Sequence, residues 1–211
     1  ATLSGALAHE LKNPLAAIQS LSGLVARKLP ADSREAEQMG VLIGEVTRLG
    51  GILDEFLNLS RPADGLNASA QGPAELVRGV ARLYAAAVRE RAVDLQVHCA
   101  PCGLVRCDPR KVRQVLINLV ENALQHGPAG GVVELRLAER EGHAVFTVLD
   151  QGPGPAAAER AFEAGYTTRP DCTGLGLTVA RAIAHQHGGE LTLAAADPGA
   201  VATLTLPLEP A

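Results

Sequence analysis

The sequence predicts a helical hairpin followed by an α+β sandwich. Three observations carry the prediction. Apolar residues recur at helical spacing over residues 3–29 and again over 35–60. A stretch of turn-forming and small residues, 61–72, then breaks the pattern. Beyond it, helical segments alternate with short segments of period two, the mixture expected of an α+β layer fold. With 47% hydrophobic and 20% charged residues, the chain has the composition of a packed protein rather than a disordered one. Aromatics are only 2% and Trp is absent, so the core must be built from Leu, Val, Ile and Ala.

In the hairpin, Leu7, Leu11, Leu15, Ile18, Leu21, Val25 and Leu29 form one seam with steps of three and four. Leu42, Val46, Leu49, Leu53 and Phe56 form a second. Between them Pro30 breaks the helix, and Asp32 or Ser33 can cap the next one. Two helices enclose no core of their own, and a second copy completes a four-helix bundle, so the segment predicts a homodimer. Pro14 should bend the first helix just after His9-Glu10-Leu11-Lys12-Asn13, because it removes a backbone donor and crowds the preceding turn. In the second region, 73–91 reads as helix, and 93–98 with 104–107 as a β-hairpin. Asp108-Pro109 opens a helix through His126, strands fall near 131–139 and 143–149, and a loop runs to about 173. A helix over 174–187 ends at Gly188-Gly189, and strands near 190–195 and 201–207 close the chain.

The net charge of −4 argues against a nucleic-acid partner. No run approaches the roughly 18 apolar residues a membrane helix needs, so any membrane attachment comes through segments upstream. A helix pattern already running by Leu7 gives the chain the look of a fragment of something longer. Four cysteines do not suggest a disulfide framework, which points to a reducing, cytoplasmic setting. Cys99-x-x-Cys102 with Cys107 and His98 could hold zinc, but there is no second ligand pair, and small buried thiols are the plainer reading.

Five motifs carry chemistry. Asn118 and Asn122, four apart on a helix, project from one face. A neutral carboxamide can offer an oxygen to Mg²⁺ without repelling phosphates. Asp150 follows an apolar strand and precedes Gly152 and Gly154, where a carboxylate can accept from an exocyclic amine and the backbone can approach closely. Gly174-Leu175-Gly176-Leu177 opens a helix whose free amides suit phosphate oxygens. Phe162 heads a loop segment, and His9 stands beside Glu10 on a helix. Read singly, the asparagines, Asp150, the glycine run and His9 with Glu10 are a helix cap, a turn aspartate, a flexible turn and a surface pair.

Together and in order, they resemble the sensor histidine kinases of bacterial two-component systems. His9-Glu10-Leu11-Lys12-Asn13-Pro14-Leu15 is similar to the phospho-acceptor box, and Gln114 to Ala123 to the asparagine box. Asp150 to Gly154, Phe162 to Thr168 and Thr173 to Leu177 are similar to the remaining ATP boxes. The resemblance implies a GHKL (Bergerat-type) ATPase fold for the sandwich. It implies three segments: a dimerisation and histidine phosphotransfer domain over 1–61, a linker over 62–72 and a catalytic ATP-binding domain over 73–211. It makes His9 the phospho-acceptor, Glu10 its acid/base partner and Asn13 a phosphatase residue. It places Asn118, Asn122, Gln125, His126, Asp150, Gly152, Gly154, Arg169, Gly174, Leu175, Gly176 and Leu177 at the nucleotide, with Asn122 on Mg²⁺. ATP and Mg²⁺ are the implied cofactors, and a response regulator's receiver domain is the implied partner. Gln125 stands where the family often has a basic residue, and Cys172 where it often has glycine. Those two departures leave open a degenerate kinase acting as a dimeric scaffold or phosphatase. A chaperone-type or mismatch-repair-type ATPase of the same superfamily would lack the His9 hairpin.

Overall fold

In a computed structural model, residues 3–30, 32–60, 66–168 and 173–210 are described. The chain divides into two compact units, Ala1–Pro62 and Ala63–Ala211.

The first unit is two helices, α1 (Leu3–Ala26) and α2 (Arg34–Ser60). Ser33 caps α2: its hydroxyl accepts from the Ala36 amide at 3.1 Å and donates to the Pro30 carbonyl at 2.8 Å. The helices are joined side to side by Gln19 Nε2 donating to Thr47 Oγ1. Pro14 lies inside α1, which continues through it, leaving the carbonyl one turn back at Glu10 without its helical donor. Among described side chains only Val46 and Ser22 are buried, while Ile18, Leu21, Leu24, Val25, Val41, Leu42 and Leu49 remain exposed.

The second unit runs β1 (Ser69–Gln71), α3 (Pro73–Glu90), β2 (Asp94–Cys99), β3 (Val105–Cys107) and α4 (Pro109–His126). It continues with β4 (Val132–Arg140), β5 (His143–Leu149), a 3-10 turn (Arg160–Phe162), α5 (Gly176–Gln186), β6 (Glu190–Ala195) and β7 (Ala200–Pro207). Five strands form one sheet in the order β2-β4-β5-β7-β6. One face is buried, with Leu135 opposite Val148, Leu137 opposite Phe146, and Phe146 opposite Leu204. Helices α3, α4 and α5 cover that face with Leu76, Val80, Val115, Leu116, Leu119, Val179 and Ile183. Alternation of one buried and one partly exposed residue along β4, β5 and β7 is the period-two signal made physical.

Two local expectations change. Residues 93–107 are not a hairpin. β2 pairs in parallel with β4, and β3 pairs antiparallel with β1 in a separate two-stranded sheet. The reason is connectivity: α4 crosses over between β2 and β4, and a crossover helix delivers parallel strands. The partner of β3 comes from within the stretch expected to be linker, where Ser69, Ala70 and Gln71 pair with Cys107, Arg106 and Val105.

Candidate functional site

Both helices that carry the motifs are anchored at their far ends by one buried group. Asp108 caps α4, its carboxylate accepting from the Arg110 amide at 3.0 Å and from the Asn67 amide at 3.3 Å. Burial pushes this carboxyl upward, but those hydrogen bonds and the Arg110 guanidinium outweigh it and hold the group below the usual aspartate range. The Asp108 amide donates to His187 Nε2 at 3.0 Å, and His187 Nδ1 meets the Ile183 carbonyl at 2.7 Å. With Nε2 accepting, the ring is neutral and carries its proton on Nδ1. His187 thus ties the end of α5 to the start of α4. Sequence reasoning found no constellation around it, because its partners lie 79 positions away and across a helix turn.

At the other end of these helices the motif residues converge. Asn118 is buried, and its carboxamide is fully engaged: Oδ1 accepts from Gln114 Nε2 and Nδ2 donates to the Gly176 carbonyl, both at 2.9 Å. Asn122, one turn on, is half-buried and its side chain makes no hydrogen bond among the described residues. His126 ends α4, with Nδ1 2.9 Å from the Asn122 carbonyl and the side chain exposed. Gln125 is exposed on the same turn.

Asp150 leaves β5 beside α4. Its Oδ1 accepts from the Gly152 amide at 2.7 Å, a tight Asx turn, and its amide donates to Ala200 on β7. A Cβ on Gly152 would lie 2.6 Å from the His126 carbonyl, so only glycine lets this loop pass against the end of α4. Gly154 packs against the Gly199 carbonyl in the β6–β7 turn. The loop that follows returns to α5: the Gly165 amide donates to the Gly174 carbonyl at 3.1 Å. Gly174 has φ +66°, and a Cβ there would meet the Gly165 carbonyl carbon at 2.5 Å, so two backbones touch at this crossing. The first ladder bond of α5 runs from the Val179 amide to the Leu175 carbonyl. The amides of Gly176, Leu177 and Thr178 therefore precede the ladder, while Leu175 donates to Thr173 Oγ1. Three first-turn amides and, counting only the described residues, a half-buried carboxamide without a partner and a carboxylate with one oxygen uncommitted thus belong to one end of one unit. That combination suits an anionic ligand with a polar base.

His9 and Glu10 lie on α1, but their side chains are outside the described residues, as are Arg169 and Cys172. Asn13 is exposed on α1. Among the described residues no three His, Cys, Asp or Glu side chains are grouped to hold a metal. Cys107, the last residue of β3, is buried, its thiol pushed up to about 11 by burial and by Asp108, which disfavours a thiolate ligand.

Two family matches account for most of the chain. Residues 1–65 match the His Kinase A (phospho-acceptor) domain. Residues 107–210 match the histidine kinase-, DNA gyrase B-, and HSP90-like ATPases. The chain belongs to the sensor histidine kinases. The sensor histidine kinase ZraS of Klebsiella oxytoca is 33% identical over 98% of this chain, which spans 46% of that protein. A full-length structure of ShkA in complex with AMPPNP superposes with a TM-score of 0.84 at 25% identity. That match covers 99% of this chain and 46% of ShkA. Histidine kinase ThkA in complex with response regulator protein TrrA gives 0.73 at 25% identity, covering 98% and 61%. This chain therefore represents less than half the length of the curated kinase it matches. No described helix is long and apolar enough to cross a membrane.

Proposed function

We propose that this chain is the catalytic core of a kinase that phosphorylates its own His9 from ATP and then supplies the phosphoryl group to an aspartate of a response regulator. The observation that carries the reading is the gathering of Asn122, Asp150 and the free amides of α5 in one unit, behind a hairpin that bears the His9 box. A neutral ring nitrogen of His9 attacks the γ-phosphorus. The N–P bond forms, the bond to the bridging β–γ oxygen breaks, ADP leaves, and the ring proton passes to Glu10. Asp150 accepts from the adenine amine. Gly152 and Gly154 let the backbone approach the base, Gln125 and His126 flank the phosphates, and Gly174, Leu175, Gly176 and Leu177 with Arg169 hold their oxygens.

Mg²⁺ fits the donor set. Among the described residues, none has taken the neutral oxygen of Asn122, and no carboxylate cluster is grouped to bind the ion without phosphates. Asn122 would hold the ion, which neutralises phosphate charge when bound. The AMPPNP complex of ShkA and the ThkA–TrrA complex support the nucleotide and the partner by analogy. We assign the dimer to residues 1–61, whose exposed apolar seam a second copy would cover. The catalytic domain takes in β1 as well as residues 73–211, since Ser69–Gln71 pair with β3, and the linker is the part of 62–72 that precedes that strand.

Incubation with γ-labelled ATP and Mg²⁺ tests the reading. The label should be acid-labile and base-stable, as a phosphoramidate is. No label, or acid-stable label, overturns it. Asn13 sits four residues after His9, about 6 Å along the axis and on the same face. Its carboxamide is no base, yet it can hold a water against a regulator's phospho-aspartate. Asn13→Ala should slow regulator dephosphorylation and spare labelling of His9, and parallel loss of both would refute that role.

A further inference from the structure

The amides of Gly176, Leu177 and Thr178 have no ladder partners, so their placement depends on what holds the first turn of α5. Two side chains do. From α4, Asn118 Nδ2 donates to the Gly176 carbonyl at 2.9 Å, and Gln114 Nε2 fixes the other end of that carboxamide. From the opposite side, Thr178 Oγ1 donates to the Phe162 carbonyl at 3.0 Å. A threonine in a helix can bond the carbonyl one turn back along the backbone. Here that residue is Gly174, whose carbonyl receives the Gly165 amide, and the Thr178 hydroxyl reaches 16 positions back along the chain instead. Phe162 is itself fixed. Its ring is buried and the Arg181 guanidinium stacks over it, 4.5 Å from the centroid.

We propose that Thr178 and Asn118 are positioning residues that clamp the first turn of α5 from two sides, setting its phosphate-facing amides in register with Asn122 on α4. This rests on the ATP reading above. Neither side chain needs to touch the nucleotide. Asn118 is buried with donor and acceptor both committed, and the Thr178 hydroxyl proton is committed to Phe162. The clamp acts on phosphates and leaves the adenine contact at Asp150, on a different loop, untouched.

The test compares Thr178→Val, which keeps the shape and removes the hydroxyl, with Thr178→Ser, which keeps the hydroxyl, in the full chain. Calorimetry with ATP–Mg²⁺ and with adenosine should show ATP affinity falling about three- to tenfold in the valine variant, the range for one lost neutral hydrogen bond. Adenosine affinity should stay within about twofold, and the serine variant should match wild type. Asn118→Asp, which sets a carboxylate oxygen against the Gly176 carbonyl, should show the same split. If it does not fold, the threonine pair still decides. Equal losses for valine and serine, equal losses for ATP and adenosine, or no loss in the valine variant overturn the proposal. A second readout needs no nucleotide. Exchange of the Gly165 amide, bonded to Gly174 at the root of the clamp, should quicken at least about threefold in the valine variant and not in the serine variant. Unchanged exchange overturns the clamp. Failure of wild type to bind ATP overturns the kinase reading and leaves the exchange comparison to judge the clamp.

Discussion

The two units are built from the same kind of residue and solve burial in opposite ways. In the sandwich, Phe146, Leu116, Leu135 and Leu204 are covered by the chain's own sheet and helices. In the hairpin, Leu21 is 63% and Leu42 42% exposed, although both belong to its apolar seams. A three-helix layer over five strands can bury both partners, whereas two helices leave one side of each stripe facing outward. Periodicity tells which face is apolar. It does not tell which molecule covers it. On the proposed reading this is a division of labour: the sandwich would hold a nucleotide as a single chain, while the hairpin would need a second copy before His9 has a defined setting.

The sharpest break between the units is at His9. His9→Ala should abolish label incorporation while ATP affinity stays within about twofold, because the acceptor belongs to Ala1–Pro62 and the nucleotide residues to Ala63–Ala211. Calorimetry and autoradiography on one preparation check it. A large loss of ATP affinity would mean that the hairpin contributes to the pocket and that the division is wrong.

Next in size is the seam. Leu21→Asp should weaken the dimer by about a hundredfold or more. Burying a leucine contributes roughly 1.5–3 kcal/mol and the dimer contains two copies. Sedimentation should report monomers at concentrations where wild type is dimeric, with ATP affinity unchanged. A wild type that sediments as a monomer would refute the bundle.

Within the sandwich, Asn122→Ala should lose the Mg²⁺-dependent part of ATP binding. Asp150→Asn should weaken binding with or without Mg²⁺. Each should cost about ten- to a hundredfold, the range for a hydrogen bond to a charged group. If calorimetry finds both variants at wild-type affinity, the pocket is misplaced.

How legible these features were depends on the range of the interactions behind them. The cap at Asp108, the stop at Gly188 and the sandwich helices follow from neighbours in sequence, and the structure places them where local patterning predicts. The motif glycines were legible as glycines, while the reason for Gly152, a carbonyl at the end of α4, is a tertiary contact. The β2–β3 hairpin was misread because strand pairing is chosen by the crossover through α4, which no window of ten residues contains. β1 was hidden because Ser69-Ala70-Gln71 has no apolar alternation, and its pairing comes from β3 alone. Spacing puts Asn118 on one face of α4 with Asn122, and the family resemblance implies a place for it at the nucleotide. Its two hydrogen bonds, one to a residue 58 positions on, place its carboxamide inside the protein.

The smallest expected effect separates the units by pH. Asp108 is buried, its two oxygens take the Arg110 and Asn67 amides, and the Arg110 guanidinium lies 3.5 Å away. Its folded carboxyl titrates below the ordinary value of 3.8, so the folded state favours the carboxylate. The contribution to stability is then complete above the unfolded pKa and is lost as pH falls through the folded one. Asp108→Asn keeps the cap geometry and the amide bond to His187 but removes the charge. Hydrogen bonds to a charged acceptor exceed neutral ones by on the order of 1 kcal/mol, so the variant should be less stable than wild type by about that much at pH 7. The gap should close as pH falls below 4, because wild type loses what the variant never had. Urea midpoints at pH 7 and pH 3 measure it. Parallel midpoints at both would show that the buried charge contributes nothing. The hairpin, which contains no part of this network, should melt identically in both proteins, and a shift there would mean that the two units do not unfold independently.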